Sequence, residues 1–460
     1  MYSAILALAV CGLSAVAHGG MWDDAVVAGE TDAPPCSYRV GQPVRFEFSL
    51  TGVPDDADLS PYRLQWRRRG DDGVKDEGSL PLAHSGMTVE TKIGKPGFVH
   101  LEAWIADGDG KAVRRGKKGP RSCTGGEEVR FTGGAGADIA KIVPGTPAPK
   151  DFAAKWKSAL TRLRREKPVT SANAASFAKD VTGDGGFHVF EVAVPSFGPD
   201  WTPCHATGYM TIPKNASPKS LKAKVSFDGY GIYRPGRPPW CDQESIELHV
   251  NAHGFFPLAM TDAEFAAFER DVIKRRGDGY GFNDEDNAVF ERAYFFGMAM
   301  RAVSATTFLR EFVRTRPEWD GRTLQTTGGS QGGLQAVWAA SRTKGVTEMR
   351  IHVPWCCDLG GTDAGRMGGW RPASRPGLAY FDPVNMAPHI PASVDKVVFR
   401  SALGDYIAPP CTHAVLYNAM KGSKEIRFVQ GGDHYDDPPG RLQEQTIRRS
   451  APSPRKGGVR

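Results

Sequence analysis

Missing from these 460 residues are the features that would commit the chain to a membrane, a metal or a nucleic acid. No apolar run reaches the roughly 20 residues that a spanning helix needs. The run Tyr2–Ala17 is shorter, and no later segment replaces it. The eight cysteines form no C-x-x-C pair, and adjacent Cys356 and Cys357 make a poor clamp, so zinc-site spacing is absent. Lys and Arg total 58 against 52 Asp and Glu, a formal charge of +6. The basic residues fall in short clusters at 67–69, 114–118, 274–276 and around Arg455, not in a stripe interleaved with aromatics. That pattern fits solvated surface and argues against nucleic acid as a partner. No internal repeat is visible, which counts against propellers and solenoids.

The first residues also lack Lys and Arg, but they are small and apolar and end in Ala15-Val16-Ala17. That is an A-x-A site, so 1–17 reads as a signal peptide, cleaved before His18, of a secreted or periplasmic protein. Cys11 would leave with it. Seven cysteines remain: Cys36, Cys123, Cys204, Cys241, Cys356, Cys357 and Cys411. An odd number leaves at least one thiol unpaired. Cys36 and Cys123 bracket a β-rich region, and a disulfide between its first and last strands stands beside the alternative of two buried free thiols.

Hydrophobic residues make up 40% and charged residues 24%, which is ordinary for a globular protein, and the length calls for two or three packed units. Over 22–133, short strands alternate with turns rich in Gly, Asp and Pro. Val44–Leu50, Tyr62–Trp66, Thr88–Ile93, Val99–Ile105 and Glu128–Phe131 read as strands, and Asp107-Gly108-Asp109-Gly110 as a hairpin turn. This spacing predicts a small immunoglobulin-like β-sandwich with Trp66 in its core. Residues 134–186 read as a Gly/Ala/Pro linker followed by an amphipathic helix over Asp151–Lys167, with Phe152, Trp156, Leu160 and Leu163 on one side. Over 187–447, apolar strands (Val225–Phe227, Thr323–Thr326, Met349–Val353, Lys396–Phe399) alternate with helical stretches (Ala293–Val313, Gly332–Ala340, Pro410–Met420). That order predicts an α/β domain with a mostly parallel sheet and helices on both faces. Residues 448–460 read as a disordered basic tail.

The most informative stretch is Gly328-Gly329-Ser330-Gln331-Gly332-Gly333. A strand leads in and a helix leads out, the setting in which G-x-S-x-G forms a nucleophile elbow. Glycines two before and two after the serine leave room for crossing backbone, and the helix offers free N–H groups to a developing oxyanion. An ordinary Gly-rich turn, with Ser330 capping the helix, is the bland alternative. A serine nucleophile needs a base, and the base an orienting acid, in the chain order Ser, Asp or Glu, His. Asp405 follows the strand at Lys396–Phe399, and His434 follows a strand over Glu425–Val429, so both fall on the serine's rim of the sheet. His413 in a helix and His352 in a strand read as structural, and His249 and His253 precede the elbow. Asp433, Asp436 and Asp437 lie too near His434 along the chain to orient it.

From Phe187 to Asp437 these residues resemble the acetyl xylan esterase/cephalosporin-C deacetylase family of α/β-hydrolases. Gly329-Ser330-Gln331-Gly332-Gly333 is similar to its nucleophile signature, and Val353-Pro354-Trp355-Cys356-Cys357-Asp358 to its V-P-x-x-C-D stretch. Gly404-Asp405-Tyr406-Ile407 resembles its acid loop, Gly432-Asp433-His434 its histidine loop, and Phe227-Asp228-Gly229-Tyr230-Gly231 its H-G-Y-G oxyanion loop. The resemblance implies a catalytic Ser330, Asp405 and His434, and an oxyanion hole built from the backbone N–H groups of Tyr230 and Gln331. It implies removal of acetyl or other small acyl groups from xylan or xylo-oligosaccharides through an acyl-enzyme, without metal or organic cofactor. Asp228 replaces the family's histidine, and Asn251-Ala252-His253-Gly254 replaces its R-G-Q-G, which leaves the acyl pocket and substrate open. The N-terminal sandwich is an addition to the compact family enzyme, so whether the hexameric assembly implied by the resemblance carries over, and with it the oligomeric state, stays open. Two other readings compete: a secreted serine peptidase of the prolyl-peptidase type, and a non-catalytic carbohydrate-adhering protein.

Overall fold

The computed structural model describes residues 20–115, 128–232, 242–256, 260–273, 279–435, 437, 438, 440 and 442–450, with backbone alone at 272 and 273. The stretch expected to be a signal peptide, Cys123, Cys241, Asp436 and the tail beyond 450 lie outside them.

The N-terminal unit holds strands β1 (Val26–Thr31), β2 (Pro43–Thr51), β3 (Arg63–Gly70), β4 (Lys75–Pro81), β5 (Met87–Lys92), β6 (Gly97–Ala106) and β7 (Arg130–Ala137). They form two antiparallel sheets, β1-β2-β5 and β4-β3-β6-β7. Period-two alternation on β2 turns Val44, Phe46, Phe48 and Leu50 into a core shared with Leu64, Leu101, Ala103 and Ile105 of the other sheet. At the expected hairpin turn, the Gly110 N–H donates to the Asp107 carbonyl, and Gly110 takes a φ of 78° that a side chain would strain.

Three details depart from expectation. Trp66 is only half-buried, its ring lying against Gly78, whereas Arg68, from a cluster expected at the surface, is fully buried. Its guanidinium grips both carboxylate oxygens of Asp72 at 2.8 Å and donates to the Val74 and Lys92 carbonyls, so the charge is paired and its donors are used. Strand β7 runs to Ala137, past the expected boundary at 133. Its glycines read as linker, but they serve close packing: a Cβ on Gly134 would sit 2.4 Å from the Val99 carbonyl oxygen. Likewise β17 (Glu444–Arg449) carries the sheet past 447.

The second unit begins with α1 (Phe152–Glu166), whose Phe152, Trp156, Ala159 and Leu163 are buried. It continues through β8 (Ala178–Asp180), β9 (Phe187–Phe197), β10 (Pro203–Pro213), β11 (Leu221–Phe227), β12 (Ser245–Val250), α2 (Asp262–Phe268), α3 (Asp284–Asn287), α4 (Tyr294–Val313), β13 (Trp319–Gly329), α5 (Gln331–Arg342), β14 (Glu348–His352), α6 (Pro383–Met386), β15 (Lys396–Ala402), α7 (Pro410–Ala419), β16 (Lys424–Val429) and β17. These strands make one ten-stranded sheet in the order β17-β16-β15-β14-β13-β11-β12-β10-β9-β8.

The sheet is mixed. Its centre, from β16 to β12, is parallel, while β17 on one flank and β10, β9 and β8 on the other are antiparallel. Helices α4 and α5 pack on each other and on the sheet's central strands, and α7 packs on β15 and reaches β6 of the N-terminal unit. Register aligns the carboxyl ends of the central strands: Phe227 pairs with Gly328, Gly329 with His352, His352 with Arg400, and Ala402 with Val429. Loops leaving those ends therefore converge on one edge.

Candidate active site

Ser330 sits between β13 and α5 with φ 52° and ψ −120°, a strained conformation for a residue with a side chain. Two close approaches explain its neighbours. A Cβ on Gly328 would lie 2.4 Å from the Gly332 carbonyl carbon, and one on Gly332 would lie 2.1 Å from the Phe227 carbonyl oxygen. The Ser330 N–H donates to the His352 carbonyl at 2.9 Å, and the Trp355 N–H donates to the Ser330 carbonyl at 3.0 Å. The serine side chain makes no capping bond to α5, against the bland reading of the turn. Its Oγ lies 2.8 Å from His434 Nε2 instead.

Asp405 follows β15 and is fully buried. One carboxylate oxygen, Oδ1, accepts the N–H groups of Ile407 at 2.9 Å and Ala408 at 2.8 Å, and Oδ2 lies 2.7 Å from His434 Nδ1. Burial pushes the Asp405 carboxyl above its ordinary value, and the hydrogen bond from His434 opposes that rise. His434 follows β16, and its loop is tied to the acid's loop by the Gly404 N–H, which donates to the Gly432 carbonyl at 2.9 Å. A carboxylate can only accept, so Nδ1 carries the proton and Nε2 is left to accept from the serine hydroxyl. The arrangement can take a proton from Ser330 Oγ and stabilise the resulting imidazolium.

The Phe227–Gly231 loop crosses in front of α5. The Gln331 side-chain amide donates to the Gly229 carbonyl at 3.3 Å, and that of Gln335 to the Asp228 carbonyl at 3.4 Å. The loop's far end is held by His253, from the stretch that departs from the R-G-Q-G pattern, together with Tyr280 and Tyr294, which carried no signal in the sequence as site residues. His253 Nε2 lies 2.9 Å from the Gly231 carbonyl and Nδ1 lies 2.8 Å from the Tyr294 hydroxyl. Burial pulls the His253 imidazole down to about 4. It is therefore neutral near pH 7, donating from Nε2 and accepting at Nδ1. The Tyr280 hydroxyl accepts the Gly231 N–H at 2.9 Å, and its ring stacks on Tyr230 at 4.2 Å. The N-A-H-G departure thus supplies a clamp on the loop; only tertiary structure joins it to Tyr280 and Tyr294.

The other candidates fall elsewhere. His413 is buried between the Ser401 hydroxyl at 2.8 Å and the Pro354 carbonyl at 3.2 Å, and burial pulls it to about 3, so it is a neutral packing residue. His352 lies against the Arg400 guanidinium, which also pairs with Asp437. Asp433 accepts the Tyr435 N–H at 2.8 Å, a turn within the histidine loop. His249 bonds Asp228 at 2.8 Å. Cys36, Cys204, Cys356, Cys357 and Cys411 are free thiols, and Cys123, the partner considered for Cys36, is outside the described residues. Among the described residues, no group of three His, Cys, Asp or Glu is placed to hold a metal, and no helix is long and apolar enough to cross a membrane.

Comparison with known proteins adds likenesses to acetyl esterases. The acetyl xylan esterase (AXE1) family matches residues 375–448, the stretch that carries Asp405 and His434. Acetyl esterase Axe7A of Xylanibacter ruminicola is 24% identical over 424 residues, spanning 86% of this chain and 84% of that protein. Among solved structures, an acetyl xylan esterase from Paenibacillus sp. R4 is 23% identical with a TM-score of 0.48, covering 64% of this chain and 93% of its own. Acetyl xylan esterase 1 from Thermoanaerobacterium sp. JW/SL YS485 is 19% identical with a TM-score of 0.48, covering 66% and 93%.

Proposed function

We propose that this carboxylic ester hydrolase, a member of the acetyl xylan esterase family, removes acetyl groups from xylan or xylo-oligosaccharides through an acetyl-enzyme on Ser330. The observation that carries the reading is the unbroken hydrogen-bond chain from Ser330 Oγ through His434 to Asp405, at 2.8 and 2.7 Å. Ser330 Oγ attacks the ester carbonyl carbon while His434 Nε2 takes its proton. The oxyanion is received by the N–H groups of Gln331, at the start of α5, and Tyr230, on the loop packed against that start. Collapse breaks the bond to the sugar oxygen, which leaves with the proton from His434. Water, deprotonated by the same nitrogen, then releases acetate and restores the serine. Asp405 keeps the imidazole in the required tautomer throughout.

The central parallel strands and the elbow between β13 and α5 support an α/β-hydrolase assignment. Two antiparallel sheets over one core support an immunoglobulin-like reading of the N-terminal unit. Residues 1–17 support export to a secreted or periplasmic location, where a polysaccharide substrate would be met. The test is acetate release from acetylated xylan beside turnover of 4-nitrophenyl acetate and of an aminoacyl-proline anilide. Wild-type protein should release acetate from the first two and leave the anilide intact, and Ser330→Ala should abolish release while melting at nearly the same temperature. Anilide cleavage without acetate release would replace the esterase by a peptidase.

A further inference from the structure

Among the described residues two aromatic side chains are exposed, Trp370 at 44% and Tyr435 at 61%, and both stand at the site built around Ser330. Packing alone gives no reason for this, since covering a large apolar side chain gains roughly 1.5–3 kcal/mol. Trp370 tops a cluster of rings: it stacks on buried Trp355 with centroids 5.1 Å apart and planes 20° apart, and it meets Tyr230 edge-on at 4.6 Å. Both contacts lead directly to the chemistry. Trp355 donates its backbone N–H to the Ser330 carbonyl, and Tyr230 belongs to the loop in front of α5.

The segment carrying Trp370 is fixed before any ligand arrives. The Met367 N–H donates to buried Asp71 of the N-terminal unit at 2.8 Å, and the Trp370 carbonyl accepts the Trp355 indole N–H. Gly369 lies so close to the acid loop that a Cβ there would be 2.0 Å from the Ile407 carbonyl oxygen. Tyr435 directly follows the base in the chain and stands edge-on to His434 with ring centroids 5.3 Å apart.

Resting on the esterase reading above, we infer that Trp370 and Tyr435 are stacking platforms for a linear β-linked pyranose chain laid across the catalytic serine. A pyranose ring offers C–H faces that pack on an aromatic ring while its hydroxyls stay in water, so an exposed, immobilised ring suits a sugar as it suits no compact acyl group. The chemistry sets the polarity of the site. The departing sugar oxygen takes its proton from His434 Nε2, so the sugar bearing the ester lies on the side of Tyr435, and Trp370 takes a neighbouring unit of the chain. The fixed Trp370 platform also requires no ordering on binding, which favours a polymer of low affinity per unit.

The test separates binding from turnover. In Ser330→Ala protein, unacetylated xylohexaose is titrated calorimetrically. Adding Trp370→Ala or Tyr435→Ala should weaken its binding by about tenfold each, and Trp370→Phe should recover most of the loss. With Ser330 present, the ratio of kcat/KM on acetylated xylo-oligosaccharide to that on 4-nitrophenyl acetate should fall by about the same factor, carried by KM. Unchanged xylohexaose affinity in both alanine variants would overturn the inference, as would a larger loss on 4-nitrophenyl hexanoate than on the sugar ester, which would make Trp370 part of an acyl pocket. Failure of the esterase reading is a different result, absence of acetate release by the wild-type protein, and the titration does not depend on it.

Discussion

Replacing Asp405 by Asn tests the roles assigned to the hydrogen-bond chain while changing almost nothing in size. In the native site Oδ1 accepts two backbone N–H groups, from Ile407 and Ala408, and Oδ2 faces His434 Nδ1. An asparagine has one acceptor oxygen. Two backbone donors demand it, because turning the amide over would set an NH2 against two N–H groups in a buried site, at roughly 1–3 kcal/mol for each unsatisfied group. The NH2 is thereby directed at His434 Nδ1, which must now accept. The proton moves to Nε2, and that nitrogen points at Ser330 Oγ as a donor, unable to take the serine's proton. Loss of the working tautomer costs about 10^4-fold in kcat, or about 5 kcal/mol of transition-state stabilisation. Stability should move little, since Asn keeps both backbone bonds and removes a charge that burial already disfavours. The assay is kcat on 4-nitrophenyl acetate near neutral pH, with thermal melting of the same preparation. A correctly folded Asp405→Asn protein retaining more than about a tenth of wild-type kcat would refute the tautomer argument and the role given to Asp405.

Helix propensity alone predicts that Gly332→Ala in α5 stabilises by about 1 kcal/mol. The approach of Phe227 predicts the opposite, so the unfolding free energy from urea titration should fall by roughly 3 kcal/mol or more with esterase activity lost, and a raised urea midpoint would refute it. The Asp228 carboxylate raises the His249 imidazole above its ordinary value, so their pair adds stability below pH 6.5 that is lost as pH rises through the raised value. The melting advantage of wild type over His249→Gln should accordingly be larger at about pH 5.5 than at about pH 9, and a gap that widens with pH would contradict it. Thr132→Val removes a buried hydroxyl that donates to the Gly404 carbonyl at 3.2 Å and accepts from His100 at 2.9 Å, one residue before Asp405. It should destabilise by roughly 1–3 kcal/mol and lower kcat on 4-nitrophenyl acetate with KM held, and unchanged melting and kcat would deny the N-terminal unit any hold on the acid loop.

What was legible in the sequence is what short-range constraint imposes. The elbow could be read because crossing backbone at Phe227 and Gly332 leaves no space for a Cβ, and only glycine meets that demand. Asp405 and His434 could be placed because each directly follows a strand of the parallel centre, whose ends register brings to one edge. Other features answered to partners far away in the chain. Lys75–Pro81 lies on an edge as β4 without apolar alternation, so nothing local marked it as a strand. Arg68 looked like a surface cation because its partner Asp72 and its burial are properties of the folded sheet pair. The aromatic assembly of Tyr230, Tyr280, Trp355 and Trp370 draws on separate loops, and no periodicity links them.

The glycines of β7 carry the same logic into the joint between the two units. Among the described residues the N-terminal unit places no side chain in the Ser330–His434–Asp405 hydrogen-bond chain, yet its last strand lies against both loops that carry Asp405 and His434. Gly134 exchanges two hydrogen bonds with the Gln430 side chain, at 2.8 and 2.9 Å, four residues before His434. Cβ atoms would collide from both sides, on Gly133 with Gln430 at 2.3 Å and on Gly404 with the Thr132 carbonyl oxygen at 2.5 Å. Backbone meets backbone here, and polar groups buried at the joint are satisfied across it. Asp71 does the same farther along, accepting the Met367 N–H at 2.8 Å beneath the segment that presents Trp370. A module tethered for recognition alone would need no such fit. Close packing tolerates little relative motion, so this joint makes the β-unit a wall of the candidate site, setting where the Asp405 loop, the His434 loop and the exposed indole stand.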